Sequence, residues 1–265
     1  MAEPDTKLLV VDVGNTQTHF GIFDEGGDRV VEHWRFATVR ESTSDELGAA
    51  LSNLLALRGF SFGDIAHSII SSTVPQLSEQ WLAMAARYLG HEMLLVGPAI
   101  KTGMPIRIDN PREVGADRLV NSVAAFERFK ACCVVVDFGT AITYDVVSDL
   151  GEYLGGIITP GAEISLDALS ERAAKLPRVE LVEPRAVIGK STVEAIRSGI
   201  AYGYAGQVEG IVRRLRDELG EETPVIATGG MAPLLTPFMR DTINAVDEFL
   251  TLTGLRLIWE RNNGH

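Results

Sequence analysis

The stretch VVDVGNTQT, from Val10 to Thr18, decides the fold because the chain nearly repeats it 125 residues later. Residues 135–143 read VVDFGTAIT, and five of the nine positions coincide. A chain of 265 residues is long enough for one large domain or for two domains of roughly 120 residues each. The repeat favours the second arrangement and predicts two similar halves.

Composition and charge restrict the class of protein. Hydrophobic residues make up 46% of the chain and charged residues 23%, which is typical of a soluble globular protein. The net charge is −12, from 24 basic and 36 acidic residues, whereas proteins that bind nucleic acids or anionic membranes usually carry a basic surface. We therefore expect no nucleic-acid partner and no membrane partner, and local groups must capture any anionic substrate.

The cysteines and the N-terminus predict a cytoplasmic protein. Cys132 and Cys133 are adjacent in an apolar run, and neighbouring strand residues point to opposite faces, so we expect no disulfide between them. Reduced, buried cysteines are typical of cytosolic proteins. The start MAEPDTK lacks the apolar segment of a signal peptide, and no apolar run approaches the roughly 18 residues of a membrane helix.

Apolar runs ahead of the two repeated turns predict the central strands. Lys7–Val13 and residues 132–137 are short, almost wholly apolar and lead into Asp-x-Gly, a pattern that is typical of doubly buried strands. Each is followed by a turn and further strands, and then by helical patterns such as the long segment Thr192–Leu219. The predicted fold class is α/β, with a mixed β-sheet and flanking helices in each half. The halves comprise residues 1–116 and 117–265, with a cleft between them.

The repeated turn has the chemistry of a nucleotide-phosphate site. Gly14 and Gly139 allow the backbone to approach a phosphate closely. Asp12 and Asp137 lie at strand ends, where a carboxylate can hold a hydrated cation. Uncharged donors surround them, namely Asn15, Thr16, Thr18, Thr140 and Thr143. One such turn is as consistent with a simple β-turn as with a site, but two predict a pair that clamps one polyphosphate across the cleft.

Three other glycine-containing segments leave alternatives open. Thr228-Gly-Gly230 follows an apolar strand and suits either an adenosine ring or an ordinary strand-to-helix turn. Residues 189–192, GKST, resemble the end of a P-loop, but Pro184 occupies the position of its first glycine. The glycines of the long helix favour close helix packing, either within one subunit or across a dimer, and are Gly199, Gly203, Gly206 and Gly210.

A series of motifs carries a resemblance to a known family. In order along nearly the whole chain these are DVGNT (12–16), NPREVGADR (110–118), VVDFGTAIT (135–143), GGIITPG (155–161), GKST (189–192), ATGGMA (227–232) and LTLTGL (250–255). Together they resemble the type III pantothenate kinases. The resemblance implies the actin/hexokinase/Hsp70-like ATPase superfamily, whose members have two RNase H-like halves, and this agrees with the internal repeat.

The resemblance also implies an activity and a set of ligands. The activity is ATP-dependent phosphorylation of pantothenate to 4'-phosphopantothenate, the first step of coenzyme A biosynthesis. The cofactors are Mg²⁺ with ATP and a monovalent cation, K⁺ or NH₄⁺, and the assembly is a homodimer. The implied ATP-binding residues are Asp12, Val13, Gly14, Asn15, Thr16, Gln17, Thr18, His19 and Thr140. The metal-binding residues are Asp12 for magnesium and Asp137 for the monovalent cation.

The implied pantothenate site is Gly115, Ala116, Asp117 and Arg118, with Thr192 as a further contact. Ile108 departs from the family, which usually has Tyr at that position, and a lost hydroxyl removes one hydrogen bond worth about 0.5–1.5 kcal/mol. Asp117 is the implied catalytic base. Because a predicted helix begins directly after it, Asp117 also suits the role of N-cap, and both roles can coexist.

Two other functions compete with this one. The first is another ATP-dependent sugar or acid kinase of the same superfamily. The second is a nucleotide-binding regulatory accessory factor of the same fold, without useful turnover. The presence of Asp12, Asp117 and Asp137 together argues against a degenerate enzyme.

Overall fold

The first half of the chain forms an antiparallel meander followed by alternating strands and helices. The computed structural model describes residues 6–173, 176–239 and 241–263. The elements in order are β1 (Lys7–Val13), β2 (Gln17–Asp24), β3 (Val30–Ala37), α1 (Ser44–Ala56), β4 (Ile65–Ser72), α2 (Pro75–Met84), β5 (Leu94–Leu95) and α3 (Ala116–Phe129). A π-helical turn, Ala85–Leu89, extends α2, and 3₁₀ turns lie at Phe62–Asp64 and Pro111–Glu113.

The second half repeats this plan. Its elements are β6 (Cys133–Phe138), β7 (Ala141–Val147), β8 (Tyr153–Pro160), α4 (Ala162–Arg172), α5 (Thr192–Leu219), β9 (Val225–Thr228), α6 (Ala232–Leu235), β10 (Ala245–Val246) and α7 (Leu250–Asn263). A 3₁₀ turn, Thr236–Phe238, follows α6. Within the described ranges, no helix has both the length and the apolar character that crossing a membrane would require.

Contacts divide the chain into two compact units. The first contains Met1–Met104, Asp109–Ala124 and Phe249–His265, and the second contains Pro105–Ile108 and Ala125–Glu248. The C-terminal helix α7 thus groups with the N-terminal sheet, and it packs on β1 and β4. The division into residues 1–116 and 117–265, which the sequence suggested, stays a prediction.

The two sheets have the same topology. In the described residues each has five strands, in the orders β3-β2-β1-β4-β5 and β8-β7-β6-β9-β10. In each, the central strand pairs antiparallel with the next strand of the chain and parallel with a later one. The prediction of an α/β fold with two similar mixed sheets is therefore confirmed.

In the first unit, β1 is apolar because helices cover both of its faces. Leu9, Val11 and Val13 pack against the buried residues of α1 and α2. The intervening residue Val10 pairs with Gly21, which lies against Leu252 of α7. Asp12 has the same alternation as Val10, so it points to the α7 face at the C-terminal end of β1. A capping box begins α1, with Thr43 and Glu46 exchanging hydrogen bonds.

The second unit has a core of equivalent construction. Val134, Val136 and Phe138 of β6 pack together with the buried residues of α5, including Val208 and Val212. The predicted helix Thr192–Leu219 is present with those bounds. The helix α4 was not predicted from the sequence, because its apolar residues do not form a continuous stripe.

The repeated turns differ in length by one residue. Asp12 pairs across β2 with His19, seven positions later, whereas Asp137 pairs across β7 with Thr143, six positions later. An ungapped comparison aligns Thr18 with Thr143, but by strand register Thr143 corresponds to His19. The coincidence of the last threonine in the two sequence copies is therefore not a structural equivalence.

Candidate active site

A row of polar side chains crosses the sheet of the first unit at the C-terminal end of β1. Asp12 pairs in register with Ser71 on the parallel strand β4 and with His19 on the antiparallel strand β2. His19 in turn pairs with Arg35 on β3. Directly paired residues of neighbouring strands share one face of a sheet, so the four side chains form one row on the α7 face.

Asp12 is the acid of this row, and its pKa is strongly shifted. The Ser71 hydroxyl donates a hydrogen bond of 2.6 Å to Oδ1 of Asp12. Burial, which removes water from the carboxylate, and the charge of Asp117 together raise the pKa of Asp12 to about 7. The Ser71 hydrogen bond and the charge of Arg35 oppose this shift. The carboxyl groups of Asp12 and Asp117 therefore lie close enough to interact.

Asp117 lies in the first turn of α3, within the same unit. A Cβ atom at Gly115 would lie 2.6 Å from Oδ1 of Asp117, so the carboxylate folds back toward this glycine. Burial raises the pKa of Asp117, while the backbone N–H of Arg118, the charge of Arg118 and the residue's own N–H lower it. The carboxylate accepts hydrogen bonds from backbone N–H groups of the first helical turn, as a helix cap does, and its raised pKa is compatible with a base. The two interpretations from the sequence, cap and base, therefore both remain open.

The predicted phosphate turn joins β1 to β2. The N–H of Gly14 donates to the carbonyl of Gln17 at 3.0 Å, and a Cβ at Gly14 would lie 2.9 Å from that oxygen. Asn15 is held from both sides: Nη2 of Arg40 donates to its Oδ1 at 3.2 Å, and its Nδ2 donates to Thr73 at 3.4 Å. A cleft of about 340 Å³ adjoins the turn and is lined by Asn15, Arg40, Thr73, Val74, Pro75 and Gln76.

Members of the predicted ATP-binding segment differ in exposure. Asn15, Thr16 and Gln17 are exposed. Val13 is fully buried, and Thr18 is buried with its hydroxyl 3.0 Å from that of Thr38. The side chains of Val13 and Thr18 therefore support the turn. These two residues can contact a ligand only through their main-chain atoms.

His19 is a neutral side chain at physiological pH. Burial, together with the charges of Arg35 and His33, lowers its pKa to about 3. Its Nε2 lies 3.3 Å from Nδ1 of His33, and the ring of Phe249 packs beside both imidazoles. His19 can exchange hydrogen bonds with a ligand, but it brings no positive charge to a phosphate.

The second unit has its own glycine-lined acid at the end of β6. Asp137 pairs with Thr143 on β7 and with Thr228 on β9. Gly229 has a φ of +93°, and a Cβ there would lie 2.3 Å from Oδ1 of Asp137, so glycine is required on both counts. The Gly-Gly segment that follows β9 thus adjoins the predicted monovalent-cation ligand.

The turn after Asp137 is equally constrained. A Cβ at Gly161 would lie 2.3 Å from the carbonyl oxygen of Thr140 and 2.5 Å from that of Gly139. Two backbone carbonyls therefore lie side by side in this turn. Thr140, a predicted ATP contact, is exposed.

The remaining substrate candidates also lie in the second unit. Thr192 is exposed at the start of α5, where Ser191 accepts a hydrogen bond from the N–H of Glu194 at 3.2 Å. The GKST segment is therefore a helix cap in this unit. Ile108 is half-buried, with its Cγ2 3.4 Å from where a Cβ at Gly155 would be.

Groups of three or more metal-binding side chains are absent from the described ranges 6–173, 176–239 and 241–263. Any divalent cation at Asp12 would therefore take most of its ligands from water or substrate. Mg²⁺ is usually bound in this way, through one or two carboxylates together with phosphate oxygens. The Asp12 carboxylate thus fits magnesium that arrives with a nucleotide.

Comparisons with known proteins identify the family. The sequence model of the type III pantothenate kinases matches residues 8–214. A type III pantothenate kinase from Moorella thermoacetica is 51% identical over 255 residues, covering 96% of this chain and 99% of that protein. One from Syntrophus aciditrophicus is 52% identical, covering 97% of this chain and 100% of that protein.

The chain belongs to the type III pantothenate kinase family. Solved structures agree on the fold alone, because their identities are low. The ethanolamine utilization protein EutJ from Carboxydothermus hydrogenoformans matches with a TM-score of 0.59 and 16% identity, over 96% of this chain and 90% of that chain. A polyphosphate/ATP-glucomannokinase from Arthrobacter matches with a TM-score of 0.51 and 17% identity, over 98% of this chain and 100% of that chain.

Sequence reasoning missed two residues of the polar row in this type III pantothenate kinase. Ser71 could have been found from a general rule, because the carboxyl ends of neighbouring parallel strands meet at one edge of a sheet. The apolar strand pattern before α2 ends at this serine. Arg35 had no such signal, because its position depends on the exact register of β2 with β3.

Proposed function

We propose that the chain transfers the γ-phosphoryl group of ATP to the primary hydroxyl of pantothenate, forming 4'-phosphopantothenate for coenzyme A biosynthesis. The observation that carries the proposal is the pair of interacting carboxyl groups, Asp12 and Asp117, beside a glycine turn in a chain of this family. Phosphoryl transfer depends mostly on positioning and charge neutralisation, and this pair divides those two tasks.

Asp117 is the proposed general base. Its raised pKa lies nearer to neutral pH, where a base is most effective, and its carboxylate folds back toward Gly115 at the start of α3. Arg118, the next residue, is the proposed partner of the substrate carboxylate or of the transferring phosphoryl group. Gly115, Ala116 and Thr192 complete the proposed pantothenate contacts, and Ile108 takes the place of the usual tyrosine.

Asp12 is the proposed magnesium ligand, and residues 12–19 together with Thr140 are the proposed ATP contacts. Magnesium bound with ATP supplies positive charge to the phosphate oxygens. The chain's own contribution is to orient the Asp12 carboxylate through Ser71 and to present the exposed amide of Asn15, held by Arg40, at the turn. A raised pKa of Asp12 in the free protein means that cation binding and ionisation of this carboxyl are coupled.

Asp137 is the proposed site of a monovalent cation, K⁺ or NH₄⁺. A carboxylate beside two adjacent backbone carbonyls, those of Gly139 and Thr140, has the oxygen chemistry that large monovalent cations prefer. The required glycine at position 229 keeps a side chain from filling the space next to Oδ1 of Asp137.

A homodimer built on α5 is the proposed assembly. Apart from the neighbouring residues and nearby backbone of α5 itself, positions 199, 203 and 206 have no described atom within 4 Å of where a Cβ would be, so packing within the subunit gives no reason for glycine there. Glycine in a helix interior costs about 0.5–1 kcal/mol relative to alanine, which an intermolecular contact would offset. A cytoplasmic location also remains part of the proposal.

Pantothenate-dependent formation of ADP tests the function. The purified protein with MgATP and a potassium salt should release ADP only when pantothenate is added, and mass spectrometry should detect phosphopantothenate in equal amount. ADP release with a sugar or another acid in place of pantothenate would favour a different kinase. ATP binding without turnover on any of these would favour the accessory-factor alternative.

A further inference from the structure

Arg35 is an exposed cation on β3, in the same row of side chains as Asp12. In the part of the chain that the structure describes, its guanidinium has neither an ion-pair partner nor a hydrogen-bond partner. Two other arginines of this unit are already engaged, since Arg40 donates a hydrogen bond to Asn15 and Arg58 pairs with Glu32. The guanidinium of Arg35 therefore keeps its full binding capacity.

The strand register directs this cation toward the phosphate turn. Arg35 pairs with His19, and His19 pairs with Asp12, so the three share one row of one face. Neighbouring strands lie about 4.8 Å apart, which places the Cα atoms of Arg35 and Asp12 roughly 10 Å from each other. Only one residue pair, Val13 with Thr18, separates this row from the Gly14–Gln17 turn. An arginine side chain is long enough to cross from its own strand toward that turn.

His19 explains why Arg35 does not simply pair with Asp12. The imidazole lies between the two charged residues in the row and is engaged with His33 at 3.3 Å. The charge of Arg35 acts on both His19 and Asp12, as expected for an arginine on the same sheet face as these two side chains. Asp12 and Arg35 thus lie near each other without forming an ion pair. This arrangement leaves room for a negatively charged ligand that carries a bound cation.

We infer that Arg35 binds a phosphate oxygen of the nucleotide at the Gly14–Gln17 turn. The inference rests on the proposed kinase function and adds a residue to it. The planar guanidinium fork matches phosphate geometry and keeps its charge at all relevant pH values. In a chain of net charge −12, a polyphosphate beside two carboxyl groups needs such a local cation.

The simpler interpretation is a solvated arginine on an edge strand. β3 is an edge strand of its sheet, and charged side chains on edge strands protect against strand pairing between molecules. Such a residue would have no preference for phosphate over any other anion. The two interpretations differ in what removal of the charge does to nucleotide binding.

Calorimetric titration of the free protein separates them. Kd values for MgATP and for adenosine are measured for the wild type, Arg35→Gln, Arg35→Lys and the control Arg29→Gln. Arg29 is exposed just before the other end of β3, so the control removes the same charge six residues away. A lost hydrogen bond to a charged group predicts at least a tenfold higher Kd for MgATP in Arg35→Gln. Adenosine affinity should stay within about twofold, Arg35→Lys should lie between, and Arg29→Gln should match the wild type.

Several results would overturn the inference. An unchanged Kd for MgATP in Arg35→Gln would mean that no phosphate contact exists. Equal weakening in Arg29→Gln would mean a general charge effect, and loss of adenosine affinity along with ATP would mean damage to the fold. A wild-type protein that turns over pantothenate while Arg35→Gln binds MgATP normally sinks the inference alone. A wild-type protein that binds no MgATP sinks the inference and the proposed function together.

Discussion

The hydroxyl of Ser71 donates a hydrogen bond of 2.6 Å to Oδ1 of Asp12, linking the ends of two parallel strands. This bond stabilises the charged form of a carboxyl group whose burial favours the neutral form. The free protein therefore keeps an acid that is poised near neutrality at the mouth of its phosphate turn. Ionisation of such an acid lowers the free energy of unfolding by an amount that can be measured.

Asp12 should make the free protein less stable as pH rises. Its pKa is about 7 in the folded protein against 3.8 for an aspartate in water, so the folded state binds more protons between these pH values. The contribution of this group is fully present below about pH 4 and is lost as pH rises through about 7. Asp12→Asn keeps an acceptor for Ser71 and cannot ionise. It should be more stable than the wild type at pH 8 by on the order of 2 kcal/mol, after discounting for partial exposure, and similar at pH 4.

Urea unfolding without magnesium or nucleotide measures this difference, and Ser71→Ala is the companion variant. Removing the hydroxyl takes away a bond that lowers the pKa of Asp12, so the loss of stability should extend to higher pH. A constant difference between Asp12→Asn and the wild type from pH 4 to pH 8 would show that Asp12 has an ordinary pKa.

Activity should depend on a monovalent cation through Asp137. Turnover should be faster in potassium or ammonium than in sodium at equal ionic strength, because the carboxylate and two carbonyls suit a large cation. Asp137→Asn should lose most of this difference. Asp149→Asn, an exposed acid just after β7, is the control and should keep it. Equal rates in all three salts, starting from cation-depleted protein, would contradict the site.

The long helix α5 should hold two subunits together. Gly203→Leu adds a side chain where, beyond the adjacent part of α5, no described atom lies within 4 Å of the Cβ position, so the folded subunit should accept it. Sedimentation should give twice the chain mass of 28.7 kDa for the wild type and a shift toward the single mass for the variant. The control Glu218→Leu adds the same side chain in the last turn of the helix. A wild type that sediments as one chain at micromolar concentration would end the dimer proposal.

Ile108 should weaken pantothenate recognition without abolishing it. Ile108→Tyr restores the hydroxyl that the family usually has, and one added hydrogen bond predicts a KM for pantothenate that is lower by about two- to tenfold. The KM for ATP should not change. An unchanged or raised KM for pantothenate would mean that the contact of Ile108 with Gly155 has shaped the pocket around isoleucine.

Much of the fold could be predicted from the sequence because the structure of the repeated stretch is specified by residues close together in the chain. An apolar strand that ends in Asp-x-Gly specifies its own burial and its own turn, and β1 and β6 were predicted to within one residue. The packing of α7 on the first unit could not be predicted, because it joins segments that are far apart in the chain. The close approach of Gly254 to the Val120 carbonyl, where a Cβ would lie 2.2 Å away, shows how specific that packing is.

The candidate site was predicted as residue types but not as an arrangement. Motifs indicated Asp12, Asp117 and Asp137, yet only the structure shows that the first two interact. The roles of Thr18 and Thr143 could not be compared from sequence, since the one-residue difference in turn length changes which residue faces the acid. Residues such as Ser71 and Arg35 enter the site through strand register, which composition does not encode.

Turnover of Asp117→Asn tests the central claim most directly. The variant keeps the size and capping ability of aspartate, but it cannot accept a proton from the substrate hydroxyl. Loss of general-base assistance predicts a kcat lower by about 10²–10⁴-fold, with an unchanged melting temperature and unchanged MgATP affinity. A variant that keeps more than about a tenth of the wild-type kcat would contradict the account, because a role as helix cap alone would then explain Asp117.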